Sequence, residues 1–242
     1  MVDENYPLAL VTGAADRLGK AFALSLAQEG FAILLHYHLS LKKVEQTAAE
    51  IKSIGVPVYQ FSADLTDETE ILSLFSYIDT LPNKLKVAVN SAAIMQKSDV
   101  RESSINDWDA TLDLNLRAPF IIAQEAVKRM MAGGQIINII DIGAQKVWTR
   151  YPAYVTSKSA LETLTRVLAK AYAPKIRVNA LAPGLVLPAD NIQPNEWKAL
   201  VERTPLQRPV SLAEVVSALD YLVTNEAVTG QVVVVDGGYS LI

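Results

Sequence analysis

Apolar residues fall in short unbroken runs, and between the runs they recur every three or four positions. Runs over residues 8–12, 32–37, 56–62, 87–90, 135–140, 176–182 and 231–236 predict seven strands. The intervening patterns predict helices over 17–29, with Leu18, Phe22 and Leu26 on one face, over 41–54, from about 67, over a long stretch ending near 131, and over 151–172 and 211–224. Strands apolar throughout are covered on both faces, and strands separated by helices pair in parallel through right-handed crossovers. The expected fold is α/β: a doubly wound, central seven-stranded parallel sheet with helices on both faces, in a single domain over residues 1–242. One stretch breaks the rhythm. Residues 183–209 are rich in proline and loop formers, with a short helix expected around 195–203. They follow a strand end, where open α/β sheets keep their active sites, so 185–209 is expected to form a substrate loop that acts as a lid.

The turn after the first strand reads Thr12-Gly13-Ala14-Ala15-Asp16-Arg17-Leu18-Gly19. Gly13 permits a tight turn, Gly19 permits close packing of helix on strand, and the free N–H groups of the helix start suit a pyrophosphate. The turn is read as the phosphate turn of a Rossmann-type dinucleotide site, with an ordinary glycine-bearing βα turn as the competing reading. The second strand ends in His36-Tyr37-His38-Leu39-Ser40 without the acid that would hold a ribose 2′-OH, so NADPH is the expected cofactor. Arg17, His38 and Ser40 are the candidate partners of the 2′-phosphate, and strand-end packing is the competing reading for His36.

Composition narrows the partners. The net charge is −4, which gives no electrostatic reason to expect nucleic acid or a membrane surface. There is no cysteine, and the two histidines, His36 and His38, have no carboxylate cluster with them, so neither disulfides nor a metal site is expected. Residues 1–7 carry two acids and no apolar run, and no run is long enough to span a bilayer, so a cytoplasmic protein acting on a small molecule is expected.

Tyr154 and Lys158 stand four apart on one helix face. A nearby ammonium and a positively charged oxidised nicotinamide favour the phenolate, so the Tyr154 pKa is expected to be lowered, allowing proton exchange with a substrate.

Taken in order, the turn at 12–19, Asp64-Leu65, Asn90-Ser91-Ala92-Ala93, Asn115, Tyr154-x-x-x-Lys158, Pro183-Gly184 and Asp236-Gly237-Gly238 resemble the short-chain dehydrogenase/reductase family over nearly the whole chain. The resemblance implies that Asp64 and Leu65 flank an adenine, and that Asn90, Ser91 and Ala92 line the cofactor. It also implies that Pro183, Gly184 and Leu185 pack on the nicotinamide, that Lys158 bonds its ribose, and that Asn115 anchors a water in a proton relay. A homo-oligomer, tetramer or dimer, is implied as well. A bare NADPH-binding module would need no relay, so Asn115, Tyr154 and Lys158 together argue for an enzyme.

Two departures point to a branch. Most members carry a serine thirteen positions before the tyrosine, as a donor to a ketone; here that position is Asp141, and the family's usual glycine at 17 is Arg17. An ionised carboxylate accepts hydrogen bonds, which suits a substrate presenting N–H groups, or it holds a proton of its own from a raised-pKa state. Both changes resemble the pteridine reductase branch, which includes dihydromonapterin and dihydrofolate reductases. There Arg17 and Asp141 would hold an aminopterin ring, with Asp141 and Tyr154 passing protons to its nitrogens. Leu39 stands where the branch often has arginine, leaving Lys42 or Lys43 to help with the phosphate. Met95 stands where the branch tends to place a stacking aromatic, and pads the ring less specifically. Trp148, Tyr151 and Trp197 are candidates to compensate, with ordinary loop packing the first expectation for Trp197. The alternative reading is an NADPH-dependent reductase of ketones or 3-oxoacyl thioesters.

Overall fold

The computed structural model describes residues 6–146, 148–189 and 192–242. Residues 1–5 and positions 190 and 191 of the expected loop lie outside the described residues. Seven strands, β1 (Leu8–Val11), β2 (Ala32–Tyr37), β3 (Val58–Ser62), β4 (Leu85–Asn90), β5 (Gly134–Ile139), β6 (Ile176–Pro183) and β7 (Val232–Val235), form one sheet in the order β3-β2-β1-β4-β5-β6-β7. Every pairing is parallel.

The two sheet faces are filled by alternate residues of the same strands. Ala9, Val11, Ile33 and Leu35 pack with α1 (Arg17–Gln28), α2 (Leu41–Ile54) and α8 (Leu212–Thr224). Leu8, Leu10, Ala32 and Leu34 face the other way, onto α3 (Glu68–Thr80), α5 (Ala118–Arg129) and α6 (Pro152–Tyr172). This period-2 division is why the strands read as continuous apolar runs. Phe22 of α1 and Phe75 of α3, one on each side, are fully buried, each side chain contributing roughly 1.5–3 kcal/mol of transfer free energy.

The expected long helix ending near 131 is broken in the structure. It consists of α4 (Ile105–Leu112), a π-helical turn over Asp113–Arg117, and α5. The turn widens the ladder by one residue, with the Ala118 N–H donating to the Asp113 carbonyl, and it buries Asn115. The short helix in the 183–209 stretch is α7 (Pro194–Arg203), closed at its start by a reciprocal capping box between Gln193 and Glu196.

β1 lies between β2 and β4, so the strand order reverses there and leaves a crevice at the carboxyl ends of β1 and β4. Thr12 fastens the two ends: its Oγ1 accepts from the N–H groups of Ser91 (2.9 Å) and Ala92 (3.0 Å). Among the described residues no helix is long and apolar enough to cross a membrane, and no group of His, Cys, Asp or Glu could hold a metal ion.

Candidate active site

Two cavities open over this crevice. A cleft of about 580 Å³ runs along the β1–α1 turn, the end of β2 and the starts of the loops after β3 and β4. A chamber of about 710 Å³ lies under α7 and beside Trp148 and Tyr239. Asp141, Met95, Gly184, Leu187 and Ala189 line both, so the cavities meet at Asp141.

The cleft has the form that a dinucleotide requires. Gly13 adopts φ +64°, and a Cβ there would stand 2.9 Å from the Ala92 Cα. A Cβ on Gly19 would stand 2.2 Å from the Gly13 carbonyl oxygen, so α1 lies against the turn at a distance only glycine allows. Leu18 and Gly19 line the cleft, and the amides of a helix's first turn have no partner within the helix. His38, Ser40, Asp64, Leu65, Ser91, Ala92 and Pro183 line the same cleft, so the expected cofactor residues are brought together. Leu185, expected on the nicotinamide, lines the neighbouring chamber instead. Asn90 is turned into the protein, its Nδ2 donating to Asn138 Oδ1 at 2.8 Å, while its Oδ1 is buried without a partner.

His36 settles its own reading. It is 2 % exposed, its Nδ1 accepts from the Gly13 N–H at 3.3 Å, and its Nε2 lies 3.0 Å from the Ala63 carbonyl. One neutral tautomer satisfies both contacts, and burial pushes the imidazole pKa down to about 4. His36 therefore holds the phosphate turn from behind.

Arg17 lines the cleft with His38 and Ser40. Its guanidinium donates to the carbonyl oxygens of Leu187 and Pro188, each at 3.1 Å, and so ties the turn to the 183–209 stretch. Its backbone stands at φ +52°, the left-handed region that costs a non-glycine residue roughly 1–2 kcal/mol, at the position where the family usually has glycine. Lys43, a candidate helper for the phosphate, holds Asp16 at 2.6 Å. The nearest charged partner of His38 is Asp64, at 4.0 Å.

At the junction, the Tyr154 hydroxyl donates to Asp141 Oδ2 at 3.0 Å, and the Gly143 N–H donates to Asp141 Oδ1 at 2.6 Å. Lys158, 3 % exposed, donates from Nζ to the Ile139 carbonyl at 2.8 Å and lies 5.8 Å from the centre of the Tyr154 ring. Burial governs all three groups. It raises the Asp141 pKa, against the opposing hydrogen bonds from Gly143 and Tyr154. It raises that of Tyr154 well above the usual phenol value, with the Asp141 charge adding to the effect. It lowers Lys158 to about 8. Lys158 does not offset the rise by itself: the phenol's immediate neighbour is an acid, to which it donates.

Asn115 is placed by the π-helical turn. Its Nδ2 donates to the Ile94 carbonyl (2.9 Å) and to Ser157 Oγ (3.1 Å), and its Oδ1 accepts from the Ile94 N–H (2.9 Å). Ser157 in turn donates to the Tyr154 carbonyl at 2.7 Å. Asn115 makes no direct hydrogen bond to Lys158; it pins the loop after β4 to α6. Ser157, which completes this scaffold with Thr12 of the phosphate turn, carries no signal in the sequence, because a buried hydroxyl is identified only by what folds against it.

The chamber walls are apolar and aromatic. Trp148 packs over Gly143 so closely that a Cβ there would stand 2.7 Å from its ring, and it meets Tyr151 edge-on at 6.3 Å between centroids. Trp197 faces the same chamber from α7.

A switch-point cleft shaped for a dinucleotide, opening onto buried Tyr and Lys side chains and a half-buried Asp, defines a nicotinamide-dependent oxidoreductase. The family described as enoyl-(acyl carrier protein) reductase matches residues 13–240. The chain belongs to the short-chain dehydrogenase/reductase family. It is 31% identical to the uncharacterized oxidoreductase YgfF of Escherichia coli (strain K12), over 96% of this chain and 99% of that protein. It is 30% identical to the 3-oxoacyl-(acyl-carrier-protein) reductase FabG of Staphylococcus aureus (strain Mu50), over 95% of this chain and 96% of that one. Among solved structures it is similar to FolM alternative dihydrofolate reductase 1 from Brucella suis in complex with NADP. There the identity is 36% and the TM-score 0.92, with 100% of this chain and 97% of that chain covered.

Proposed function

We propose that this protein is an NADPH-dependent reductase of a pterin or dihydrofolate-type C=N bond. The observation that carries the reading is the 3.0 Å hydrogen bond from Tyr154 to Asp141, at the position where most of the family places a donor serine. An acid there accepts from ring N–H and amino groups, which a ketone lacks. The likeness to two FolM structures with NADP supports both the substrate class and the cofactor.

Bound in the cleft, NADPH supplies the hydride. Gly13, Leu18 and Gly19 receive the pyrophosphate at the start of α1, with His38 and Ser40 at the ribose phosphate, Leu65 at the adenine and Gly184 at the nicotinamide. Asp141 orients the substrate ring through its N–H groups, and the buried Tyr154 hydroxyl delivers the proton to the ring nitrogen. Lys158 keeps positive charge beside the pair as the phenol gives up its proton, and Asn115 holds α6 in place against the Ile94 loop. Met95, at the junction, packs on the ring. A cytoplasmic location and a homo-oligomeric state belong to the same proposal.

A second reading, reduction of a 3-oxoacyl thioester, draws support from the FabG relative and from the burial of Asp141, which favours its neutral, proton-bearing form. An NADPH-oxidation assay on dihydrobiopterin, dihydromonapterin and dihydrofolate beside an acetoacetyl thioester separates the two. Turnover of the pterins is expected; preference for the thioester establishes the second reading instead.

A further inference from the structure

The chamber beside Asp141 carries more positive charge than a small flat ring needs. Lys97 from the loop after β4, Arg150 from the segment before α6 and Arg203 from the end of α7 all line it. The segments are joined: the Ser98 N–H donates to the Arg150 carbonyl at 3.0 Å. All three side chains are exposed, and among the described residues none of the three takes part in an ion pair to another segment or in a side-chain hydrogen bond. The two acids of the chamber are already engaged, Asp141 by Gly143 and Tyr154, and Glu196 by the Gln193 N–H at the start of α7. A chain with a net charge of −4 thus sets three exposed cations against two acids around this chamber. At about 710 Å³ the chamber lies within the span of sites for ligands of drug size, about 300–1,000 Å³.

We propose that Lys97, Arg150 and Arg203 form a tail-reading site, and that the substrate reduced at Asp141 and Tyr154 carries an anionic group, a carboxylate or a phosphate, at the far end from its reacting ring. The inference rests on the pterin reading and extends it. The ring lies at the inner end, where the two cavities meet. The tail runs outward past Trp148 and Trp197, and its charge reaches the rim, where guanidinium and ammonium groups give charge-assisted hydrogen bonds. Exposed charges of this kind act through attraction that salt screens, so they tune substrate capture more than the chemical step.

The test compares three substrates on the holoenzyme: dihydrofolate with its carboxylate tail, the phosphate monoester of dihydroneopterin, and the uncharged dihydrobiopterin. The readout is the ratio of kcat/KM for each anionic pterin to that for the neutral one. In wild type the ratio is expected to exceed about ten at low salt and to fall as ionic strength rises, and the anion with the larger ratio identifies the tail. Arg150→Ala with Arg203→Ala should lower that ratio about tenfold, Arg203→Glu should lower it further, and Arg203→Lys should restore most of it. A ratio that moves less than twofold in these variants and with salt overturns the tail-reading site while leaving pterin reduction in place. Turnover of no pterin by the wild type overturns both.

Discussion

Tyr154 donates its hydroxyl proton to Asp141 across 3.0 Å, so the two acids of the site share a hydrogen bond before any substrate is present. The arrangement follows from two local facts. Asp141 caps the short 3-10 turn over Ile142–Ala144 through Gly143, which fixes its carboxylate, and Tyr154 sits in the first turn of α6, directly across from it. Removing the phenol hydroxyl leaves the cleft walls intact. Tyr154→Phe is expected to lower kcat by about 10²–10⁴-fold, the range of a lost general acid, with the NADPH Kd changed less than about threefold. NADPH oxidation together with a fluorescence titration of NADPH binding checks both numbers; loss of binding with turnover kept would contradict the assignment.

Asp141→Ser restores the family's common donor and replaces the charged two-oxygen acceptor with a single hydroxyl. Hydrogen bonds to charged groups contribute about 1.5–3 kcal/mol, so kcat/KM for a dihydropterin should fall about 10- to 100-fold while NADPH affinity holds. Equal losses in both quantities mean that Asp141 serves only to cap its turn.

His36 gives the protein a pH dependence of known sign. Its folded pKa is about 4 against an ordinary value of 6.5, so the unfolded chain binds the extra proton. Stability from this group is full above about pH 6.5 and is lost as the pH falls toward 4, by about 3 kcal/mol in total. Urea unfolding of wild type and His36→Gln between pH 4 and 7 should show a drop in wild type that is smaller in the variant by that amount. Because protonated Nδ1 no longer accepts from Gly13, NADPH affinity should weaken over the same interval.

Gly19→Ala forces a methyl group to within 2.2 Å of the Gly13 carbonyl oxygen, a backbone atom with nowhere to move. Overpacking of this sort costs about 1–3 kcal/mol or more, and here it displaces α1 from the phosphate turn. Circular dichroism under thermal denaturation should report a lowered Tm, and NADPH binding should be lost even at temperatures where the variant is folded. Retained binding would show that the start of α1 is not where the pyrophosphate docks.

The sheet was legible because parallel strands buried on both faces leave unbroken apolar runs, and five helices kept a clean amphipathic period. The break at Asp113–Arg117 was not, since a π-helical turn adds one residue to a helix without changing which residue types are used. Of the site, Gly13, Tyr154 and Lys158 were readable by spacing, and Asp141 through the family resemblance alone. The direction in which Tyr154 titrates was not, because it depends on burial and on an acid distant in sequence until the fold closes. Arg17 shows the same limit. Its charge suggested a phosphate, and the fold adds two carbonyl partners, Leu187 and Pro188, that no spacing in the sequence indicates.

The chamber roof is suspended by main-chain bonds: Gly184 N–H to the Val235 carbonyl, Leu206 N–H to that of Gly237, and Val210 N–H to that of Leu185. A ceiling hung largely by its backbone constrains mainly its buried Val201 and its Gln193–Glu196 cap. Replacements at the other positions of α7 would therefore change the lining of the chamber while the sheet and the dinucleotide cleft stay as they are.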